Sequence, residues 1–289
     1  MPSFITHQII SEDVYHSLSE KTKNKIDNLS AYYLGAQGPD PFFVYMPFNL
    51  KPYNLGKLLH RENVYGFFNS AKEYAEKKNA AISYPLGFIT HYATDVIFHP
   101  YVYALESEIK KELPLLRKKD KVHFLIEKDL DAFLFEEKRK GKARSYYYPV
   151  SAGDNTCNEI YNFLDDTVWN NFSVRLNREG VYNSLKRFVK HNRLSKDKYG
   201  IKYHTVNFIE SVLFLPKYLS SFFIRPHPDV RILNYKKEIT PFSPDGLSVF
   251  ELYDKAVNLS VKLIKEFLSG KELSSLFSTD MNIGKKKKR

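Results

Sequence analysis

Apolar residues recur at helical spacing along most of this chain. In VFELYDKAVNLSVKLIKEFLSG (249–270), Leu252, Ala256, Leu259, Leu263 and Phe267 fall on one stripe, and Gly270 suits the stop. RENVYGFFNSAKEYAEKKN (61–79) repeats the pattern with Val64, Phe67, Phe68, Ala71, Tyr74 and Ala75. SYPLGFITHYATDVIFHP (83–100) predicts a third helix, with Ser83 as N-cap and Pro85 in the first turn. Pro100 is expected to end or kink it, leaving His99 at the boundary. KVHFLIEKDLDAFLFEEKRKG (121–141) predicts a fourth, stopped by Gly141. Strand-like alternation is confined to short stretches such as SYYYPV (145–150). Loops are marked at GAQGPDPFF (35–43), SAGDNT (151–156), IRPHPD (224–229) and TPFSPDG (240–246). There is no internal repeat and no linker long enough to separate a pair of domains. The expected fold is all-α: one multi-helix bundle domain over residues 1–280, then a basic flexible tail over 281–289.

Polar residues interrupt the apolar faces in a patterned way. His91, Asp95 and His99 lie at intervals of four among Phe88, Ile89, Val96, Ile97 and Phe98, so a helix stacks them on one buried face. His123 and Glu127 repeat the spacing on the stripe of Leu130 and Leu134. A buried unpaired carboxylate costs several kcal/mol. Two core faces that each carry His-x3-acid therefore predict compensation, and a divalent metal is the simplest agent, because an i, i+4 pair can chelate one ion. Asp40 in the rigid G-P-D-P turn, His60 at the start of the 61–79 helix, and His7 add to the set. Read singly, the His91–Asp95 pair is equally a buried hydrogen bond, and Asp40 equally a turn cap. Read together, eight ligand-type residues within the first 127 define a metal site. His16 reads as a surface residue, and His191, His204 and His227 are scattered without a partner set.

Composition narrows the chemistry. With a single cysteine, Cys157, among 289 residues, a disulfide framework and a Cys-rich zinc module are excluded, and no Ser–His–Asp or Cys–His reading competes, because Cys157 and the C-terminal histidines have no evident partner set. Aromatic residues make up 15% of the chain, which argues against disorder. The N-terminus lacks the basic-then-apolar pattern of a secretory leader. The longest apolar stretch, VLFLPKYLSSFFI (212–224), contains Pro216 and Lys217 and is shorter than the ~20 residues that span a bilayer. A cytoplasmic location is therefore expected. The net charge of +11, partly in KKKKR (285–289), favours anionic partners: nucleic acid, lipid head groups or phosphorylated substrates.

The order His7, then G-x-x-x-PD ending at Asp40, then His60, then H-Y-x-x-D (His91 to Asp95), then His99, then His123-x3-Glu127 resembles the zinc-dependent phospholipase C family and the related S1/P1-type nucleases. The resemblance covers residues 1 to about 130. It implies an all-α bundle around up to three Zn2+ ions. Asp40, His60, His91 and Asp95 would bind one ion. Asp95 would bridge to a second, held also by His7 and by Pro2, exposed as the N-terminal residue once Met1 is removed. His99, His123 and Glu127 would hold the third. In the secreted relatives the corresponding histidine lies further along, just after a proline, whereas His99 precedes Pro100. The implied activity is hydrolysis of a phosphodiester by a zinc-activated water, with Asp40 as general base. The expected reaction is phospholipase C-type cleavage of a phospholipid to diacylglycerol and a phosphorylated head group. The alternatives are an S1/P1-type nuclease and a non-catalytic, metal-stabilised, membrane-peripheral binding protein. The basic tail would add contact with anionic membranes.

Overall fold

The computed structural model describes residues 4–44, 55–77, 80–112, 122–142, 146–215, 219–224 and 246–281. Pro2, and the tail beyond Met281, lie outside the described residues, as do most of the loops expected at 224–229 and 240–246. The fold is all-α. Eleven α-helices occur among the described residues: α1 Phe4–Ser17, α2 Glu20–Lys23, α3 Leu29–Gly35, α4 Leu55–Arg61, α5 Val64–Ala75, α6 Ser83–Glu112, α7 Val122–Arg139, α8 Asp154–Phe172, α9 Arg178–Leu194, α10 Ile201–Val212 and α11 Val249–Phe267. No β-strand is found among the described residues. Over 146–150 the alternation is real, with Tyr146, Tyr148 and Val150 buried and Tyr147 exposed. Residues 146–150 nevertheless run as irregular backbone, so the strand-like pattern forms no strand among the described residues.

Three other expectations are corrected. Of the two outcomes expected at Pro100, an end or a kink, the end does not occur: α6 runs through it to Glu112. A proline removes one backbone donor and crowds the carbonyl four residues back; here the flanking Phe98, Tyr101 and Val102 are all buried, and that packing keeps the segment helical. Ser83 is the first helical residue rather than a cap. Its hydroxyl donates to Asp27 Oδ1 (2.7 Å) and accepts from the Asn28 N–H (3.1 Å). His60 is not on the 61–79 helix but in the separate α4, because Asn63 takes a left-handed conformation (φ 37°) and caps α5 at the Gly66 N–H.

The chain divides into two compact units. The first comprises residues 1–9, 100–148 and 190–252, and the second 10–99, 149–189 and 253–289. In the first, the start of α1 is held by α7: the Thr6 N–H and hydroxyl both donate to Asp131 Oδ1 (2.6 and 2.9 Å), so a carboxylate occupies the positive end of the helix. Arg139 at the far end of α7 donates to the Ile9 carbonyl (2.8 Å). The ammonium of Lys128 lies 4.6 Å above the Phe4 ring. In the same unit α11 starts with a reciprocal cap, in which Glu251 accepts from the Ser248 N–H (2.7 Å) while Ser248 accepts from the Glu251 N–H (3.3 Å).

The second unit is built on aromatic packing. Phe67 and Phe68 of α5 meet Phe88 of α6 at 4.9 and 5.9 Å between ring centroids, Phe67 meets Phe163 of α8 at 6.1 Å, and Phe68 meets Phe277 at 4.8 Å. Phe277 belongs to a 3₁₀ turn, Ser275–Ser278, that follows α11. This C-terminal segment is tied to α6: the Tyr92 hydroxyl donates to the Leu276 carbonyl (2.6 Å) and accepts from the Thr279 N–H (3.0 Å).

Candidate metal centre

Close backbone approach sets up the site in the second unit. A Cβ on Gly87 of α6 would lie 1.9 Å from the Tyr32 carbonyl oxygen, and one on Gly35 of α3 2.2 Å from the Tyr84 carbonyl oxygen. The two helices therefore touch main chain to main chain, which larger residues would prevent. The chain leaving α3 then turns through Gly38 at φ +52°, fixed by the Gly38 N–H donating to the Gly35 carbonyl (2.7 Å) and the Asp40 N–H to the Gln37 carbonyl (3.1 Å). A Cβ on Gly38 would fall 2.3 Å from the His91 ring. Glycine is needed there twice, for its backbone angle and for the space His91 fills. The G-P-D-P turn thus delivers Asp40, 1% exposed, beside α6.

Five predicted ligands come together in this unit, all buried: Asp40, His60, His91, Asp95 and His99. One ligand atom from each of Asp40, His60 and His91 lies within 4.8 Å of the others. His60 Nε2 is 3.5 Å from Asp40 Oδ1 and 3.6 Å from Asp95 Oδ2. His91 Nε2 is 3.2 Å from Asp95 Oδ2, while His99 Nε2 is 3.8 Å from the other oxygen, Asp95 Oδ1. Asp95 therefore turns one oxygen toward His60 and His91 and the other toward His99.

The donor set fits zinc in its chemistry and its support. A metal-bound histidine normally gives its other ring nitrogen to a carbonyl or carboxylate, which fixes the tautomer. His60 Nδ1 pairs with the Gly56 carbonyl of its own helix (2.8 Å). His99 Nδ1 pairs with the Met281 carbonyl. Both rings then present Nε2 toward Asp95. Neutral imidazole nitrogen and carboxylate oxygen are standard zinc ligands.

The first unit carries the other three described candidates. His7 is buried on α1, one residue beyond the Thr6–Asp131 contact. On α7, His123 Nε2 lies 2.9 Å from Glu127 Oε1, with Glu127 buried and His123 partly open to solvent. His123 Nδ1 faces Glu106 Oε2 at 3.4 Å. Burial pulls the His123 pKa down, but the flanking Glu106 and Glu127 carboxylates more than offset this and lift it to about 9. The hydrogen bond from His123, against the opposing effect of burial and with help from Lys110, holds Glu106 at about 2. Glu106, which faces the candidate ligand His123, is a residue that the sequence reading did not single out. A signal existed: it follows His99 by seven residues, two helical turns along the same stripe of α6. The carbonyls of Gly56 and Met281 carry no side-chain signature and could not have been read.

A family model described as zinc dependent phospholipase C matches residues 6–180, more than half of the chain and all of the described candidate ligands. The chain belongs to the zinc-dependent phospholipase C family, a family of metal-dependent hydrolases whose cofactor is Zn2+. Comparisons with curated proteins and with solved structures find no significant match.

Proposed function

We propose that this protein cleaves a phospholipid to diacylglycerol and a phosphorylated head group. The observation that carries the reading is the buried set of Asp40, His60 and His91, with one ligand atom each within 4.8 Å, beside a carboxylate, Asp95, that faces histidines with both oxygens. Asp40, His60, His91 and Asp95 would hold one zinc ion, and Asp95 and His99 would each contribute to a further one. His7, Pro2, His123 and Glu127 are carried in the proposal by the family resemblance. Bound zinc supplies positive charge that polarises a phosphate ester and lowers the pKa of water.

The remaining roles belong to the chain. Asp40 accepts the proton of the attacking water, and Gly38 and the Tyr84 hydroxyl, which donates to the Gly38 carbonyl (3.3 Å), keep its turn in place. His60 and His99 are held by main-chain carbonyls, so they do not have to reorganise as charge develops at phosphorus. Glu106 faces His123 Nδ1 and so orients the ring with Nε2 toward Glu127. The experiment is metal analysis of the full-length protein followed by hydrolysis of phosphatidylcholine, phosphatidylinositol and single-stranded DNA. Zinc-dependent release of diacylglycerol is expected. A zinc-loaded protein that leaves both lipids intact and cuts the DNA would overturn the lipid reading in favour of a nuclease.

A further inference from the structure

The first unit exposes apolar surface to an extent that folding does not explain. Sixteen large apolar side chains are exposed among the described residues, and eleven of them fall between Leu194 and Phe222. Single exposed apolar residues are normal, whereas a concentration of them marks an interaction surface. The helix α10 turns Ile201 (65% exposed), Phe208 (68%), Ile209 and Val212 outward, and the chain after it continues with Leu213, Phe214 (82%) and Leu215. No helix among the described residues is long and apolar enough to cross a membrane.

The end of α10 adds a second, independent observation. The Leu215 N–H donates to the Glu210 carbonyl (2.8 Å) and the Phe214 N–H to the Ser211 carbonyl (3.2 Å). This is the helix stop that places its penultimate residue in the left-handed conformation, where glycine is the usual occupant. Here it is Phe214, at φ 52°. A side chain is disfavoured at that angle, and this ring packs into no core. The fold gains nothing from it, so its use is external.

Charge selects the partner. The segment 190–222 contains two acidic residues, Asp197 and Glu210, both buried and turned to the backbone. Asp197 accepts from the Tyr203 N–H (2.7 Å), and Glu210 accepts from the Leu219 N–H (2.6 Å) and the Ser220 N–H (3.3 Å). The exposed charges on the described part of the segment, Lys190, Arg193, Lys198 and Lys202, are all positive. A second copy would set these cations against themselves. An apolar helix flanked by cations is the arrangement that lies in the interface of an anionic bilayer, with its apolar side at the boundary of head groups and acyl chains.

We propose that α10 and the turn after it dock the protein onto an anionic lipid surface, with Phe208, Ile209 and Phe214 entering the interface and the flanking lysines contacting the head groups. The inference rests on this surface and not on the catalytic reading.

The test is co-sedimentation of the full-length protein with vesicles of phosphatidylcholine alone or mixed with phosphatidylglycerol, read before turnover consumes the lipid. Binding should require phosphatidylglycerol and weaken as salt rises. Phe214→Gly removes the ring and restores glycine at the left-handed position, so its melting temperature should equal or exceed that of the parent. Its affinity for mixed vesicles should fall roughly tenfold. Phe208→Ser/Ile209→Ser should lower it further. Hydrolysis of a short-chain, water-soluble phosphodiester, measured in parallel, should be unchanged by Phe214→Gly, which separates loss of docking from failure of the catalytic reading. Equal vesicle binding by Phe214→Gly and parent overturns the proposal, as does a parent that ignores mixed vesicles. So does a parent that dimerises through this face while Phe214→Gly stays monomeric.

Discussion

The imidazole of His99 pairs through Nδ1 with the main-chain carbonyl of Met281, 182 residues further along the chain. A predicted zinc ligand on α6 is thus aimed by the C-terminal segment rather than by its own helix. Deleting residues 275–289 should lower zinc affinity ten- to a hundredfold, roughly the usual cost of losing such an outer partner. The melting temperature should also fall, because Phe277 leaves the aromatic cluster with Phe68 and Tyr92. Zinc titration and thermal melts of the truncated chain check this; unchanged zinc affinity would show that the Met281 contact does not aim His99.

Gly38→Ala should abolish the site from outside its ligand set. The added Cβ would meet the His91 ring at 2.3 Å and would sit at φ +52°. We expect loss of bound zinc and at least ~100-fold lower hydrolysis, since a displacement of about 1 Å costs that much. Gly246→Ala, also at positive φ but with no atom near the new Cβ, serves as the control for backbone strain alone.

Asp95→Asn and His91→Ala should each remove zinc and activity together, because Asp95 faces three histidines. Ligand binding adds to folding stability, so stripping zinc from the parent should lower its melting temperature, and stripping it from the variants should change little. Parent-like zinc content in both variants is the outcome that refutes the assignment.

Glu159 supplies a pH dependence remote from the metal ligands. Burial raises its carboxyl from 4.5 to about 7, with the nearby Asp27 adding to the shift against a hydrogen bond from Asn28 at 2.7 Å. The folded state therefore keeps a proton that the unfolded chain releases near 4.5. The associated stability is complete below that pH and is lost as pH rises through about 7. Glu159→Gln should match the parent at acidic pH and exceed it above neutrality. The carboxylate is half-buried and partly screened by solvent, so the gain is about 1 kcal/mol. Denaturant melts on both sides of the window measure it; a constant difference at all pH values would exclude titration of Glu159 as the cause.

The tail Lys285–Arg289 should add attraction to anionic vesicles of about 1 kcal/mol per basic residue near the surface. Deleting 285–289 should reduce co-sedimentation at low salt and have little effect at high salt. Equal binding with and without the tail at both salts leaves it no such role.

The elements that periodicity makes visible were legible: α7 and α11 start and stop close to where their apolar stripes do, and Glu127 lies on the buried side of α7 as its spacing with Leu130 and Leu134 requires. The ligands on α6 were readable for the same reason, since a four-residue interval is itself a helical geometry. What escaped depends on partners distant in sequence. Pro100 stays helical because of what packs around it, and Ser83 faces Asp27 instead of capping its helix. His60 changed helices because one residue, Asn63, adopted a left-handed angle that sequence rules assign weakly. The stretch at 212–224 was legible as apolar and too short to span a bilayer, but nothing in its pattern told that Leu213 and Phe214 would face solvent rather than a core.

The tie between α6 and the residues around Phe277 and Met281 also orders events in time. A ribosome delivers Asp40, His60, His91, Asp95 and His99 early, yet the carbonyl that orients His99 and the ring that closes the aromatic cluster are among the last pieces of the second unit to be made. A nascent chain can collapse its early helices, but the pairing of His99 with Met281 forms only once translation has passed residue 281. That carbonyl can orient His99 only after residue 281 has left the ribosome, and a chain stalled before that point would present the same histidines without the support that aims them.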